Sequence, residues 1–171
     1  MADIKKTEPW LQGTLADLPF VHLAVVHALQ LAEEDLQHCC TGLTEAEFNA
    51  RPTGIAPVAF QLRHIARSVD RLLTYAEGRQ LNEEQMAALK SELAPGAVPA
   101  EVFKELGETL EKAASRVRAS MGQDLEATRT VGRELLPTTL GGLLVHLAEH
   151  TQRHVGQAIT TAKVVRAARK A

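Results

Sequence analysis

Aromatic side chains are scarce in this chain of 171 residues: one tryptophan, one tyrosine and four phenylalanines make up 4% of it. Strand-rich domains draw on aromatic and β-branched residues, so this scarcity points away from an all-β core. Cysteine is scarcer still. Cys39 and Cys40 are adjacent, a poor geometry for an ordinary disulfide, and two thiolates are too few for a structural zinc site. Their expected role is packing. Neither sign of charge dominates, with 19 basic against 21 acidic side chains and a net charge of -2. That balance removes the long-range phosphate attraction of a nucleic-acid binder, so no nucleic acid is expected as a partner. No segment approaches the roughly 20 apolar residues needed to cross a bilayer. The opening Met1-Ala2-Asp3-Ile4-Lys5-Lys6 has nothing of a secretion signal's apolar stretch. The expectations are no membrane partner and a cytoplasmic location.

What is present is ordinary globular material, 45% apolar and 23% charged, rich in alanine and leucine, which favour helix. The length suits one domain, expected to span residues 1–171 with an N-terminal extension over about residues 1–16. Proline and glycine punctuate four long helical segments. The first opens near Asp17 as N-cap, two residues before Pro19, and runs through Phe20, Ala24, Leu31 and Leu36 to Gly42. The second places Val58, Leu62, Ile65, Val69, Leu72 and Leu73 on one face and ends near Gly78. A long connection with an amphipathic piece around Glu83 to Leu93 leads to the third, which begins near Pro99. It carries Leu106, Leu110, Ala113 and Val117 at helical spacing, pairs Glu108 with Lys112 on its surface, and ends at Gly122. The fourth is capped by Thr138 or Thr139 and buries Leu140, Leu143, Leu144 and Leu147. The expected fold is all-α, a four-helix bundle.

Three of the seven histidines, His146, His150 and His154, stand four apart on the last segment. At 100° per residue, His150 and His154 each lie about 20° from Leu143, on either side, so both continue the leucine stripe. A histidine pair at i and i+4 puts two nitrogens on one helix face at chelating distance. His146 falls about 60° off the stripe. A third ligand has to come from another helix. His64 is the best placed along the sequence, although it sits about 130° from the centre of its own helix's apolar face. His22, His27 and His38 compete with it on composition.

The segment Leu43-Thr44 with Phe48 and Arg51-Pro52 resembles the loop before the second helix of the DinB/YfiT-like superfamily. Phe60-Gln61-Leu62-Arg63-His64-Ile65-Ala66 resembles its aromatic-x-Leu-x-His-Leu-Ala segment. Thr139-Leu140-Gly141, followed by His146, His150, His154 and Gly156-Gln157, resembles its T-L-G…H-x-x-x-H-x-G-Q run. The resemblance covers roughly Phe20 to Val165. It implies a divalent metal held by His64, His150 and His154, and an up-down-down-up bundle with a long crossover between the second and third helices. Where the family commonly has His-His-Arg-Gly-Gln, this chain reads Arg153-His154-Val155-Gly156-Gln157, so an adjacent histidine and an arginine are missing.

Three neutral imidazoles leave an open position at which a water or thiol loses its proton more readily. Zinc is the first expectation for the metal, with nickel or another transition ion as the alternative. Arg67 and Arg71 share the face of His64 and are candidates to bind a substrate carboxylate. Gln157, one turn beyond His154, is a candidate to support the ligands. Glu149 lies about 100° around the helix from His150 and declares no role as base. Lys163, Arg166, Arg169 and Lys170 are cations expected at a helix C-terminus. Two functional classes remain, the first of them implied by the resemblance. One is a metal-dependent enzyme on a small-molecule substrate, either a transferase using a low-molecular-weight thiol such as bacillithiol or mycothiol, or a hydrolase. The other is a non-catalytic metal-binding or interaction bundle. Relatives often pair, so a homodimer is expected.

Overall fold

The computed structural model describes residues 7–169. Met1 to Lys6 of the extension, and Lys170 of the C-terminal cations, lie outside them. After a 3-10 turn at Pro9–Leu11, helix α1 covers Phe20–Cys40. It starts later than expected: Pro19 occupies the N-cap with no side-chain bond, and Asp17 instead accepts from Arg118 at 2.9 Å. The short helix α2, Glu45–Phe48, is closed by a capping box in which Thr44 and Glu47 satisfy each other's backbone N–H groups. A 3-10 turn at Pro52–Gly54 leads to α3, Val58–Ala76. Asn82 and Gln85 cap α4, Glu83–Lys90, in the same reciprocal way. Helix α5 is Pro99–Ala119, with Gly122 at φ +80° just beyond it. On its surface Glu108 reaches back to Lys104 at 3.8 Å, not on to Lys112.

An antiparallel hairpin then forms, β1 Thr128–Val131 and β2 Leu136–Thr139, with Thr128 opposite Thr139 and Val131 opposite Leu136. Sequence reading gives no strand here. Four-residue strands are too short for an alternation to declare itself, although Thr128, Thr130 and Val131 are β-branched. Thr139 ends the hairpin and caps α6, Leu140–Ala168, by accepting from the Gly142 N–H at 3.0 Å.

The chain is predominantly helical. Among the four long helices, α1 packs against α5 and α6, and α3 packs against the same two. One apolar cluster draws on all of them, including Leu29, Leu36, Leu62, Ile65, Leu106, Leu110, Leu144 and Leu147, with Phe48 of α2. Cross-helix hydrogen bonds give relative directions. Gln152 donates to the Ala28 carbonyl and Arg166 to that of Cys39, so α1 and α6 advance together. His154 meets Gln61 while Thr161 meets Ala56, so α3 and α6 run oppositely. Arg67 meets Glu105 and Arg116 meets Asp70, so α3 and α5 run alike. His22, near the start of α1, meets Ser120 just past α5.

Parallel neighbours cannot be joined by a tight turn, because the chain must first return the length of a helix. For the 19 residues of α3 that is roughly 28 Å at 1.5 Å per residue. The segment from Glu77 to Val98, with α4 inside it, makes that return. α4 has no buried residue and is held by polar contacts: Gln85 donates to Asp70 and Thr74, and Arg67 donates to the Ala88 carbonyl and to Ser91.

Cys40 is buried and Cys39 partly so, and both are free thiols. Burial pushes the Cys40 thiol up to about 12, so at pH 8 roughly one molecule in ten thousand carries the reactive thiolate. A Cys39→Ser variant is therefore expected to resist alkylation while folded and to take up one equivalent once unfolded in guanidinium. Fast labelling of the native variant would contradict the burial.

Candidate metal centre

The opposed run of α3 and α6 brings His64 across from His150 and His154. One nitrogen from each of the three imidazoles lies within 4.8 Å of the others, a cluster that could hold a metal ion. The His64 ring centre is 4.3 Å from that of His154 and 5.1 Å from that of His150. The two rings on α6 are 4.6 Å apart, as i, i+4 spacing dictates. Phe60, one turn before His64, stacks on it at 5.3 Å.

Hydrogen bonds decide which nitrogens face the centre. His64 donates from Nδ1 to Glu92 Oε2 at 2.7 Å, and His154 donates from Nδ1 to Gln61 Oε1 at 2.7 Å. A neutral imidazole with one nitrogen donating keeps a lone pair on the other, so both rings present Nε2 as a ligand atom. His64 Nε2 and His150 Nε2 stand 2.9 Å apart. Because His64 already donates from Nδ1, His150 Nε2 donates to the His64 Nε2 lone pair, and moving that proton to His150 Nδ1 would turn three nitrogens towards a divalent transition ion. Among the described residues no fourth histidine, cysteine or carboxylate joins the three.

The electrostatics keep His150 and His154 neutral. His150 is lowered to about 4, first by burial, then by His64 and His146. His154 is also lowered to about 4, first by burial and then by the other two rings. Glu92 lies below the usual carboxylate range: burial alone would raise it, but hydrogen bonds from His64 and Arg71, with the Arg71 charge, outweigh burial. A buried carboxylate is tolerated because it is paired.

Other residues singled out in the sequence fall in varied places. His150 and His154 are half-buried, not fully in the core; Thr151, Val155 and Ala158 take the buried positions of that stretch. Arg67 makes a two-pronged contact with Glu105, at 2.7 and 3.2 Å, and Arg71 donates to Glu92 at 2.7 Å. Both arginines line a cavity of about 350 Å³ between α3, α4 and α5, together with Asp70, Arg79 and Arg116. Gln157 is exposed, and the amide on His154 belongs to Gln61. His146 is exposed and bonded at 2.8 Å to Glu149, which also accepts from Arg153. His22 and His27 are buried away from the cluster, and His38 is exposed.

Glu92 and Gln61 are the two residues that sequence reasoning missed. Gln61 stands one turn before His64, and a polar residue among the buried positions of α3 was its only signal. Glu92 had none, since its place is set by the path of the crossover.

Residues 28–158 match the DinB superfamily, and the chain belongs to that family. Comparison with curated proteins finds no match.

The lowered values of His150 and His154 have a definite sign for the metal-free protein. Each ring takes up its proton at about 6.5 when unfolded and about 4 when folded, so unfolding binds protons in between. The stability they contribute is complete above pH 6.5 and is lost as pH falls towards 4. Urea unfolding of the metal-free protein is expected to show a declining midpoint over this window, and His154→Gln is expected to flatten the decline. An unchanged slope in that variant would contradict the assignment.

Proposed function

We propose that this protein is a metal-dependent enzyme in which His64, His150 and His154 hold one divalent ion and leave a coordination position open to a small-molecule substrate. The observation that carries the reading is that no fourth histidine, cysteine or carboxylate joins the cluster among the described residues. Catalytic sites of this kind keep an open position, whereas structural sites are closed by a fourth protein ligand. Zinc is the first choice and nickel the second, since neutral imidazole suits both. Bound there, the ion supplies Lewis acidity that eases deprotonation of a water or thiol. The proposed cosubstrate is a low-molecular-weight thiol, which makes the reaction an S-transfer to an electrophilic carbon. With water in that position the reaction becomes a hydrolysis. Membership of the DinB superfamily, whose resemblance implied both activities, supports this choice.

The chain's own part is to orient and enclose. Gln61 fixes the ring of His154, and Phe60 covers one face of His64. Glu149 is engaged by His146 and Arg153, so it is not free to serve as a general base. Arg67 and Arg71 are held by Glu105 and Glu92, an observation that favours the second reading, a non-catalytic metal-binding bundle.

The helix directions support an up-down-down-up four-helix bundle acting as a single domain. No helix of the described residues is long and apolar enough to cross a membrane. We place the protein in the cytoplasm, where both thiols stay reduced, as a homodimer; light scattering that finds a monomer at every concentration overturns the pairing.

Elemental analysis of untagged protein is expected to find about one equivalent of metal, absent from the His64→Ala, His150→Ala, His154→Ala triple variant. Zinc at a hundred times its dissociation constant is expected to stabilise the wild type by about 2.7 kcal/mol and the triple variant not at all. Small thiols added to the cobalt-substituted protein are expected to produce a thiolate-to-cobalt absorption band. Metal without an exchangeable position leaves the non-catalytic reading.

A further inference from the structure

The three imidazoles are not held alike. Nδ1 of His154 is held by a neutral amide, Nδ1 of His150 by no side chain among the described residues, and Nδ1 of His64 by a carboxylate. That carboxylate, Glu92, is only 5% exposed and comes from the crossover, just past α4. Its two oxygens are divided: Oε2 is 2.7 Å from His64 Nδ1, and Oε1 is 2.7 Å from Arg71 Nη1. Arg71 sits two turns beyond His64 on α3, with its side chain 11% exposed. The carboxylate is clamped between a ring and a guanidinium carried by one helix. It cannot rotate towards water without breaking a charge-assisted bond.

A ring that donates to a carboxylate is fixed in tautomer and orientation and becomes a stronger electron donor than one that donates to an amide. Resting on the reading of the three histidines as ligands, we propose that Glu92 is a positioning residue that holds His64 for the metal, that Arg71 holds Glu92, and that His64 is thereby the anchoring ligand of the three. Arg71 then acts through Glu92 and does not receive substrate. The crossover becomes part of the metal centre through this one side chain, although it contributes no ligand.

The test uses metal-free full-length protein, with zinc affinity read by competition against a chromogenic chelator and the cobalt absorption spectrum recorded alongside. Glu92→Gln keeps the shape and removes the charge, and it is expected to weaken zinc binding about tenfold. Glu92→Ala is expected to weaken it up to about a hundredfold, with a changed cobalt spectrum in both variants. Arg71→Ala should move affinity in the same direction by less. Glu105→Gln, which breaks the Arg67 pair without touching a ring, should leave affinity and spectrum as in the wild type. Melting of the metal-free variants separates a merely structural role, which lowers the melting temperature and leaves affinity and spectrum alone. Wild-type affinity and spectrum in Glu92→Gln overturn the proposal, even if Glu92→Ala fails to fold. A wild type that takes up neither zinc nor cobalt overturns the metal reading and this inference with it.

Discussion

The structure depends on the line along which α3 and α6 pass each other in opposite directions. Both helices bury an apolar stripe there, Leu62, Ile65 and Val69 on one and Leu143, Leu144 and Leu147 on the other. Each such side chain contributes about 1.5–3 kcal/mol by leaving water. His64 is next to Ile65, while His150 and His154 lie half-buried at the border of the stripe that Thr151, Val155 and Ala158 continue beyond Leu147. The register that the core sets therefore carries the rings to one place. A site preorganised in this way can accept an ion without first ordering the chain around it.

The parallel run of α3 and α5 sets the second constraint. It obliges the chain to make a long return, and it leaves a polar seam between the two helices where Arg67 meets Glu105 and Arg116 meets Asp70 and Glu77. The returning segment buries little apolar surface of its own, since α4 has no buried residue; it is fastened by hydrogen bonds to the seam. Segments fastened in this way belong to the low-stability end of a fold. Glu92 and Ala97 are the returning segment's buried residues, and Glu92 is an acid whose two partners both lie on α3. The chain's longest detour thus carries the carboxylate that meets His64.

The long helices were legible because their apolar residues recur at a period that only a helix satisfies, and Thr139, Pro99 and Gly122 mark ends that the backbone respects. Local signals failed where two of them competed. Asp17 is a good capping residue, yet Pro19 took the N-cap and Arg118 took the carboxylate. His64 shows the limit of periodicity. α3 faces α5 as well as α6, so the centre of its apolar face points between two neighbours, and a residue well off that centre still faces one of them. The i, i+4 histidine pair could be read from spacing within one helix, whereas Gln61 was missed, its one signal being a polar residue at a buried position of α3. Glu92 could not be read at all, because the bond between residues 64 and 92 depends on the path of the crossover.

Burial explains why the cluster is more than a chance meeting of rings. It holds His150 and His154 at about 4, so at neutral pH they are desolvated without the compensation of charge. A bundle shaped only for stability would fill such half-buried positions with aliphatic side chains, which gain free energy where imidazoles lose it. The chain also places an ionised carboxylate in the same region and needs Arg71 to neutralise it. Removing ring, acid and arginine together for leucine-like residues of matching volume would be neutral or stabilising. A local arrangement that breaks the packing rules without a gain for the fold is what a functional site looks like in physical terms. Three nitrogens gathered within 4.8 Å of one another in that half-buried place are a set that could hold a metal ion.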